Sequence, residues 1–326
     1  MAVLLRHADV EGLLSLDEVI QAVRSGLLEQ AAGQAQVPPR TTIDSASGHG
    51  WLRLMPVILN GSGLMGFKAM HLTPGVGVRY LVTCYDLRSG ALLALIDADW
   101  LTQVRTAATA AIGTDVLARR EVEQIGVIGS STQASMLVAA VARVRPFKRL
   151  TVFSTTSANR LRFAETVGQQ YGVEAHAVES GERAAEGADV LLSAIRATRS
   201  PVVSATWLRP GLHVTAISAV RPEARELDEA IWPRADVVGV DDREHVFDSG
   251  DGRAALATSQ FDPTRAAELW ELLSGRRPGR QTPDQITLFK SVGTGLEDLA
   301  VAGAVYQRAR ERGLGQDLGE FPNARS

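Results

Sequence analysis

Apolar and polar positions follow two regimes along the chain. Before about residue 100, short apolar runs are separated by glycine-containing turns, and Trp51–Leu59, Gly66–Met70, Arg79–Asp86 and Ala91–Asp97 read as β-strands. Ahead of them, Ser15-Leu-Asp-Glu18 has the spacing of a capping box, and the apolar positions that follow predict a helix over about 16–32. Asp97 or Asp99 is placed to cap a long helix running through Arg105 to about Arg119. From residue 122 the period changes. Apolar runs at 123–128, 149–154, 189–194, 212–217 and 236–240 alternate with helical stretches, the pattern of a doubly wound parallel sheet. A last run, Ile286–Phe289, precedes a helix over about 296–312. No internal repeat interrupts this order. The expected fold class is α/β, with one Rossmann-type domain inserted in a second, α+β domain. We place the boundaries at 1–118, 119–303 and 304–326, the last piece being a helix that returns to the first domain.

Within the second regime, residues 125–154 form a strand–turn–helix–strand unit of the kind that holds a dinucleotide. Small residues at such a turn let the backbone approach a pyrophosphate, and the helix N-terminus offers free N–H groups and a positive dipole end. The usual spacing is G-x-G-x-x-G/A. Here it is Gly129, Ser131 and Ala134, so Ser131 has to make the close approach with a Cβ and a hydroxyl attached. An ordinary buried strand–helix turn would read the same way. The turn residues Gly129, Ser131, Thr132, Gln133 and Ala134 are the candidates for cofactor contact. The second strand ends at Ser154, Thr155 and Thr156 with no acid to bind ribose hydroxyls. These small hydroxyls leave room for a 2′-phosphate, and Arg160 lies one turn into the next helix, so the pattern leans towards NADP over NAD.

Composition narrows the class. The chain has 326 residues, enough for two ordinary domains, and its 45% hydrophobic content supports substantial cores. A net charge of −3 gives no reason to expect nucleic acid as a partner. The single cysteine, Cys84, excludes an internal disulfide framework and reads as a small buried hydrophobe. Six histidines without a Cys/His cluster argue against a structural zinc site, and no metal is expected. The N-terminal apolar run is broken by acids, unlike a signal peptide. Residues 125–142 carry no charge, but Ser, Thr and Gln among them fit a buried segment better than a membrane span. The expectation is a cytoplasmic protein with no membrane partner.

Several further segments carry a family resemblance. QVRTAATAAIGTDVLARR (103–120), GFKAMHLTPG (66–75) and YDLRSGALLALIDADWLT (85–102) resemble the ornithine cyclodeaminase/mu-crystallin family, as do GLHVTAISAVRPEARELD (211–228), DSGDG (248–252) and FKSVGTGLEDLAVA (289–302). They occur in family order over nearly the whole chain. The resemblance implies a homodimer, a cofactor of the NAD or NADP type, and a Rossmann domain inserted in a substrate-binding and dimerisation domain. It also implies a small amino or imino acid as substrate.

Arg40, Lys68 and Arg105 match the family's substrate-binding positions. An amino or imino acid carries a carboxylate, which the planar Arg fork binds bidentately. Lys68 adds a third cation that can hydrogen-bond the reacting nitrogen, so Lys68 and Arg105 are the catalytic candidates. On the residues alone, Arg40 also reads as a solvated loop charge and Arg105 as an exposed helix former. Lys68 stands in an apolar run, where a buried charge needs a partner. The resemblance adds Thr106, Lys290 and Ser291 to the cofactor set, and Ser193 and Ala194 complete it at the end of the 189–194 run. Glu297 and Asp298 are expected to charge the first turn of the last helix and receive no catalytic role. His213 reads as a core or edge histidine, and His71 stays a minor acid–base candidate.

One departure bears on mechanism. Cyclodeaminases of the family carry an aspartate in a Gly-x-Asp-x-Pro pattern after the 212–217 strand. Here the stretch is Ser218-Ala219-Val220-Arg221-Pro222, and Val220 neither accepts a proton nor binds an ammonium. General acid–base steps are worth about 10²–10⁴-fold, so cyclodeamination is disfavoured while hydride transfer to a C=N bond is not. The reading is an NAD(P)-dependent reductase of an imino acid such as a cyclic ketimine. The alternatives are an ornithine- or lysine-type cyclodeaminase, an amino-acid or opine-type dehydrogenase, and a non-catalytic NADPH-dependent small-molecule binder.

Overall fold

The computed structural model describes residues 2–196 and 198–322. In chain order the first elements are β1 (Ala2–Leu5), α1 (His7–Val10), α2 (Leu16–Ala31), β2 (Ala35–Gln36), β3 (Thr41–Asp44), β4 (Trp51–Leu59), β5 (Leu64–Thr73), β6 (Gly77–Asp86), β7 (Leu92–Asp97) and α3 (Asp99–Leu117). Then come β8 (Gln124–Ile128), α4 (Thr132–Val144), β9 (Arg149–Phe153), α5 (Ser157–Tyr171), β10 (Glu174–Ala177), α6 (Gly181–Ala185), β11 (Val190–Ser193) and β12 (His213–Ala216). The remainder is α7 (Ile231–Arg234), β13 (Val237–Val240), α8 (Arg243–Asp248), α9 (Gly250–Ala257), β14 (Ala267–Glu268), α10 (Leu269–Leu273), β15 (Thr287–Lys290), α11 (Gly295–Arg312) and β16 (Gln316–Gly319).

The chain divides into two compact units. One takes the residues up to Thr106 and those from Thr294 on, and the other takes Ala107–Gly293. The boundaries expected at 118/119 and 303/304 thus fall at 106/107 and 293/294. The reason is packing: α11 lies along α2, β4 and β5 over its length, so the whole helix belongs with the first unit.

In the first unit one sheet runs in the order β16-β1-β7-β6-β5-β4-β2, with β3 on β4. The long hairpins pair antiparallel, and alternate residues of β4 (Met55, Val57, Leu59) and β6 (Val82, Cys84) are buried. This buried face receives α11. A Cβ on Gly66 would lie 3.1 Å from a Leu299 methyl, and one on Gly303 would lie 2.5 Å from a Leu64 methyl. The predicted capping box is present at α2, where the Glu18 N–H donates to Ser15 Oγ and the Ser15 N–H donates to the Glu18 carboxylate at 2.8 Å. At α3 the Asp97 carboxylate accepts the Asp99 N–H.

The second unit is an all-parallel sheet in the order β10-β9-β8-β11-β12-β15-β13-β14. Its central strands β8, β11 and β12 are buried apart from Gln124 at the start of β8, as a sheet covered by helices requires. Strand order reverses between β8 and β11, so the loops leaving these neighbours diverge and open a crevice at their carboxyl ends. No helix of the described residues is long and apolar enough to cross a membrane.

Candidate active site

The cations expected to grip a substrate lie in the first unit, and two of them meet. Lys68 is in β5, opposite Met55 on β4 and Val82 on β6, so its side chain leaves from the apolar face of the sheet. It is 2% exposed, and Arg105 on α3 is 5% exposed. Both find carboxylates in the first turn of α11. Lys68 Nζ lies 2.6 Å from Asp298 Oδ2. Arg105 Nε donates to Asp298 Oδ1 at 2.9 Å, and its Nη1 donates to Glu297 Oε2 at 2.7 Å. Asp298 therefore bridges the ammonium and the guanidinium. Burial pushes the Lys68 ammonium down to about 8; Asp298 opposes that shift and the Arg105 charge reinforces it. A lysine near neutrality can hold or give up a proton at physiological pH.

Around this cluster stand residues the sequence did not single out. The Tyr80 ring lies 5.9 Å from Lys68 Nζ, and burial raises its hydroxyl above the ordinary tyrosine value. Arg53, 7% exposed, leaves β4 on the same face, one step diagonal to Lys68. It donates to Thr42 Oγ1 at 2.8 Å and stacks on Trp51. Glu297 and Asp298 are in the first helical turn as expected, yet they are fully buried and serve as counter-ions to Lys68 and Arg105 rather than as solvated charges on the dipole. A signal existed: two cations in apolar stretches require acids, and this is an acidic pair embedded in an apolar helix. Arg40 sits immediately before β3 and is half-buried. His71 alternates to the opposite face of β5 from Lys68 and is exposed, which removes it as an acid–base partner for that cluster. Thr106 spends its hydroxyl proton on the Thr102 carbonyl of its own helix at 2.7 Å.

The second unit holds the dinucleotide-type turn. Gly129 has φ of 113°, and a Cβ there would lie 2.2 Å from the Ala194 carbonyl oxygen. Glycine is thus obligatory where the strand β8 turn passes the end of β11. Ser131 has an ordinary φ of −82° and is the N-cap of α4, its hydroxyl accepting the Ala134 N–H. The serine in the second glycine's place is accommodated because that position needs no left-handed backbone. Ser131 and Thr132 are exposed, and Gln133 is half-buried. Ser130 Oγ donates to Ser154 Oγ at 2.9 Å, which ties this turn to the end of β9, where Thr155 and Thr156 are exposed. Arg160 is not a free cation. Its guanidinium donates to the Ser154 carbonyl at 3.0 Å and to the exposed carboxylate of Glu179, which follows β10. An acid thus stands near the end of the second strand after all, delivered from the neighbouring strand rather than from β9.

Three other expected positions turn out to be internal. Lys290 is fully buried, with Nζ 2.9 Å from Glu226 Oε2 and 3.1 Å from Asp251 Oδ2. Its charge is answered inside the core, and the resemblance's place for it beside the nicotinamide stays an expectation. Ser193 Oγ donates to Glu226 Oε1 at 2.7 Å. Ser291 Oγ donates to Asp241 Oδ2 at 2.6 Å, and the same oxygen accepts the Val292 and Gly293 N–H groups. His213 is a core residue on a central strand, bonded to Thr287 and Thr215 hydroxyls, and burial pushes it down to about 3. Val220 packs against the apolar core of the unit.

A doubly wound parallel sheet with a glycine turn at its switch point, and a buried lysine–carboxylate–arginine cluster in a separate α+β unit, define the class of a dinucleotide-linked enzyme acting on a small acid. The profile of the ornithine cyclodeaminase/mu-crystallin family matches residues 1–313, and the chain belongs to that family. It is 29% identical over 314 residues to the Delta(1)-pyrroline-2-carboxylate reductase of Bacillus cereus, covering 94% of this chain and 96% of that protein. The Thermococcus litoralis Delta(1)-pyrroline-2-carboxylate reductase in complex with NADH and L-proline is 34% identical, with a TM-score of 0.90 over 97% of this chain and all of that one. An archaeal alanine dehydrogenase dimer with bound NAD is 30% identical, with a TM-score of 0.91 over 98% and 99% of the two chains.

Proposed function

We propose that the chain is an NAD(P)-dependent reductase that converts an imino acid, of the cyclic ketimine class, to the amino acid. The observation that carries this reading is the buried Lys68 held against Asp298, which also binds Arg105, in a carboxylate–guanidinium cluster. Relatives named as pyrroline-2-carboxylate reductases support it. The residues of the turn after β8 fit a dinucleotide: Gly129 clears the crevice, and α4 directs its N-terminal N–H groups to the place a pyrophosphate takes. Bound there, a nicotinamide dinucleotide supplies the hydride for reduction or accepts it in reverse. Arg40 and Arg105 bind the substrate carboxylate. Lys68 gives a proton to the imine nitrogen as carbon gains the hydride, so the C=N bond becomes a CH–NH unit, and Asp298 holds the ammonium in place beforehand. Ser154, Thr155 and Thr156 take the adenosine end.

Val220 disfavours cyclodeamination, because no carboxylate stands at that position to activate water or an amine. An amino-acid dehydrogenase is the same chemistry run on an open-chain substrate, and the alanine dehydrogenase relative keeps it as the second reading. Because that relative is a dimer, a homodimer is the proposed assembly, and the cytoplasm the proposed compartment. The deciding experiment follows NADH and NADPH absorbance with Δ1-pyrroline-2-carboxylate, Δ1-piperideine-2-carboxylate, pyruvate plus ammonia, and ornithine. Oxidation of the reduced cofactor by a cyclic imine supports the proposal. Turnover only with pyruvate and ammonia would transfer it to the dehydrogenase reading, and ammonia release from ornithine without net oxidation would replace it with cyclodeamination.

A further inference from the structure

The core of the second unit contains a charged cluster for which the proposed reaction has no direct use. Glu226, Asp251 and Lys290 are each fully buried. Burying three charges is costly unless they are mutually satisfied, and their partners lie on particular loops. Glu226 Oε1 accepts from Ser193 Oγ, at the carboxyl end of β11. Glu226 Oε2 accepts from Lys290 Nζ, at the end of β15, and from the backbone N–H groups of Ser218 and Ala219, just after β12. Asp251 Oδ1 in turn accepts the N–H groups of Glu226 and Leu227 at 2.8 and 3.0 Å, and fixes the segment that carries the hub. A second strut joins the same loops, the Ile195 N–H donating to Ser218 Oγ at 2.9 Å.

One carboxylate therefore ties together the ends of three adjacent parallel strands on the carboxyl edge of the sheet, the edge where doubly wound folds receive their ligand. The tied loops, 193–196 and 217–220, leave the strands beside the switch point on the side away from β9 and its adenosine-end hydroxyls. That is the side left for the nicotinamide half of a dinucleotide. The geometry points to Glu226 as a positioning residue, holding the Ser193 and Ser218–Ala219 loops in the shape that seats the nicotinamide, with Lys290 and Asp251 holding Glu226 itself. The inference rests on the dinucleotide reading above. Glu226 is fully buried, and in this proposal it acts only through the loops it holds.

The test uses the full-length protein. Glu226→Gln keeps the shape and one acceptor but sets an amide against the Lys290 ammonium, and Ser193→Ala removes one strut by deleting a single oxygen. NADH affinity is read by fluorescence titration on folded protein, with melting temperature and steady-state constants alongside. The expected result is an NADH Kd raised about tenfold in Glu226→Gln and about threefold in Ser193→Ala. The KM for the imino acid stays unchanged, because Lys68 and Arg105 belong to the other unit. Glu226→Asp, which keeps the charge, should regain part of the loss. A lowered melting temperature with unchanged NADH affinity would show a merely structural cluster and overturn the inference. If Glu226→Gln does not fold, Ser193→Ala decides alone. Wild-type protein that fails to bind NADH would overturn the dinucleotide reading and this inference with it, whereas wild-type binding with indifferent variants overturns only the role of Glu226.

Discussion

At the scale of single residues, Lys68 sets the pH behaviour. The reductive direction needs it as an ammonium, and its folded-state proton affinity lies near 8, lowered chiefly by burial. The kcat/KM for imine reduction should therefore hold below pH 8 and fall above it, while oxidation of the amino acid, which needs the neutral amine, should rise over the same range. Asp298 favours the charged form, so Asp298→Asn should move both limbs to lower pH. A profile with its break unmoved would show that another group titrates. Lys68→Met should reduce turnover by about 10²–10⁴-fold, as loss of a placed proton donor does, with NADH binding intact. The choice between the two cofactors turns on another pair. Glu179 answers the Arg160 guanidinium beside Ser154, and in the proposed site it would set a negative charge where NADP carries its 2′-phosphate. Glu179→Ala leaves Arg160 to the phosphate, and the NADPH to NADH ratio of kcat/KM should rise about tenfold, ~1.4 kcal/mol. An unchanged ratio would place the discriminating contact elsewhere.

At the scale of elements, the β8–α4 turn carries a sharp constraint. Gly129→Ala forces a Cβ onto the Ala194 carbonyl and an L-residue into a backbone region that costs on the order of 1–3 kcal/mol. Lower melting temperature and lost NADH binding are expected together, whereas Ser131→Gly, which removes only a helix cap, should cost no more than a few tenths of a kcal/mol. A folded Gly129→Ala protein with normal cofactor affinity would refute the tightness of that turn. This contrast also explains what the sequence made legible. Periodicity located nearly every long element because each buries one face or both; Trp51–Leu59 falls on β4 end to end, and the Ser15–Glu18 box caps α2. The glycine turn was readable because its constraint is local. The partners of Lys68 and Arg105 were not, because Glu297 and Asp298 stand more than 190 positions from Arg105, and acids in a first helical turn have a sufficient local explanation in the dipole. The ion pairs of Lys290 were hidden for the same reason, since Glu226 and Asp251 are brought onto it only by the fold.

At the scale of the whole molecule, the first unit's sheet has one face covered by α11 and another that is apolar and open. Ile43 is 59% exposed, Leu52 41% and Leu81 40%, and Pro38, Pro56, Ile58, Met65 and Phe67 line a groove of about 440 Å³ nearby. An apolar face of this kind fits an interface, and for the proposed homodimer a second copy of the chain is the expected occupant, in line with the dimeric relative. A two-fold interface presents the same patch twice, so one substitution acts at two places. Leu52→Glu should bury two uncompensated carboxylates and weaken association about a hundredfold, ~2.8 kcal/mol, giving monomers in sedimentation velocity at micromolar concentration. Val76, 62% exposed in the turn joining β5 to β6, lies off this face, so Val76→Glu should sediment like the wild type. If Leu52→Glu remains a dimer while Val76→Glu dissociates, the two copies meet through the turn and not through the sheet.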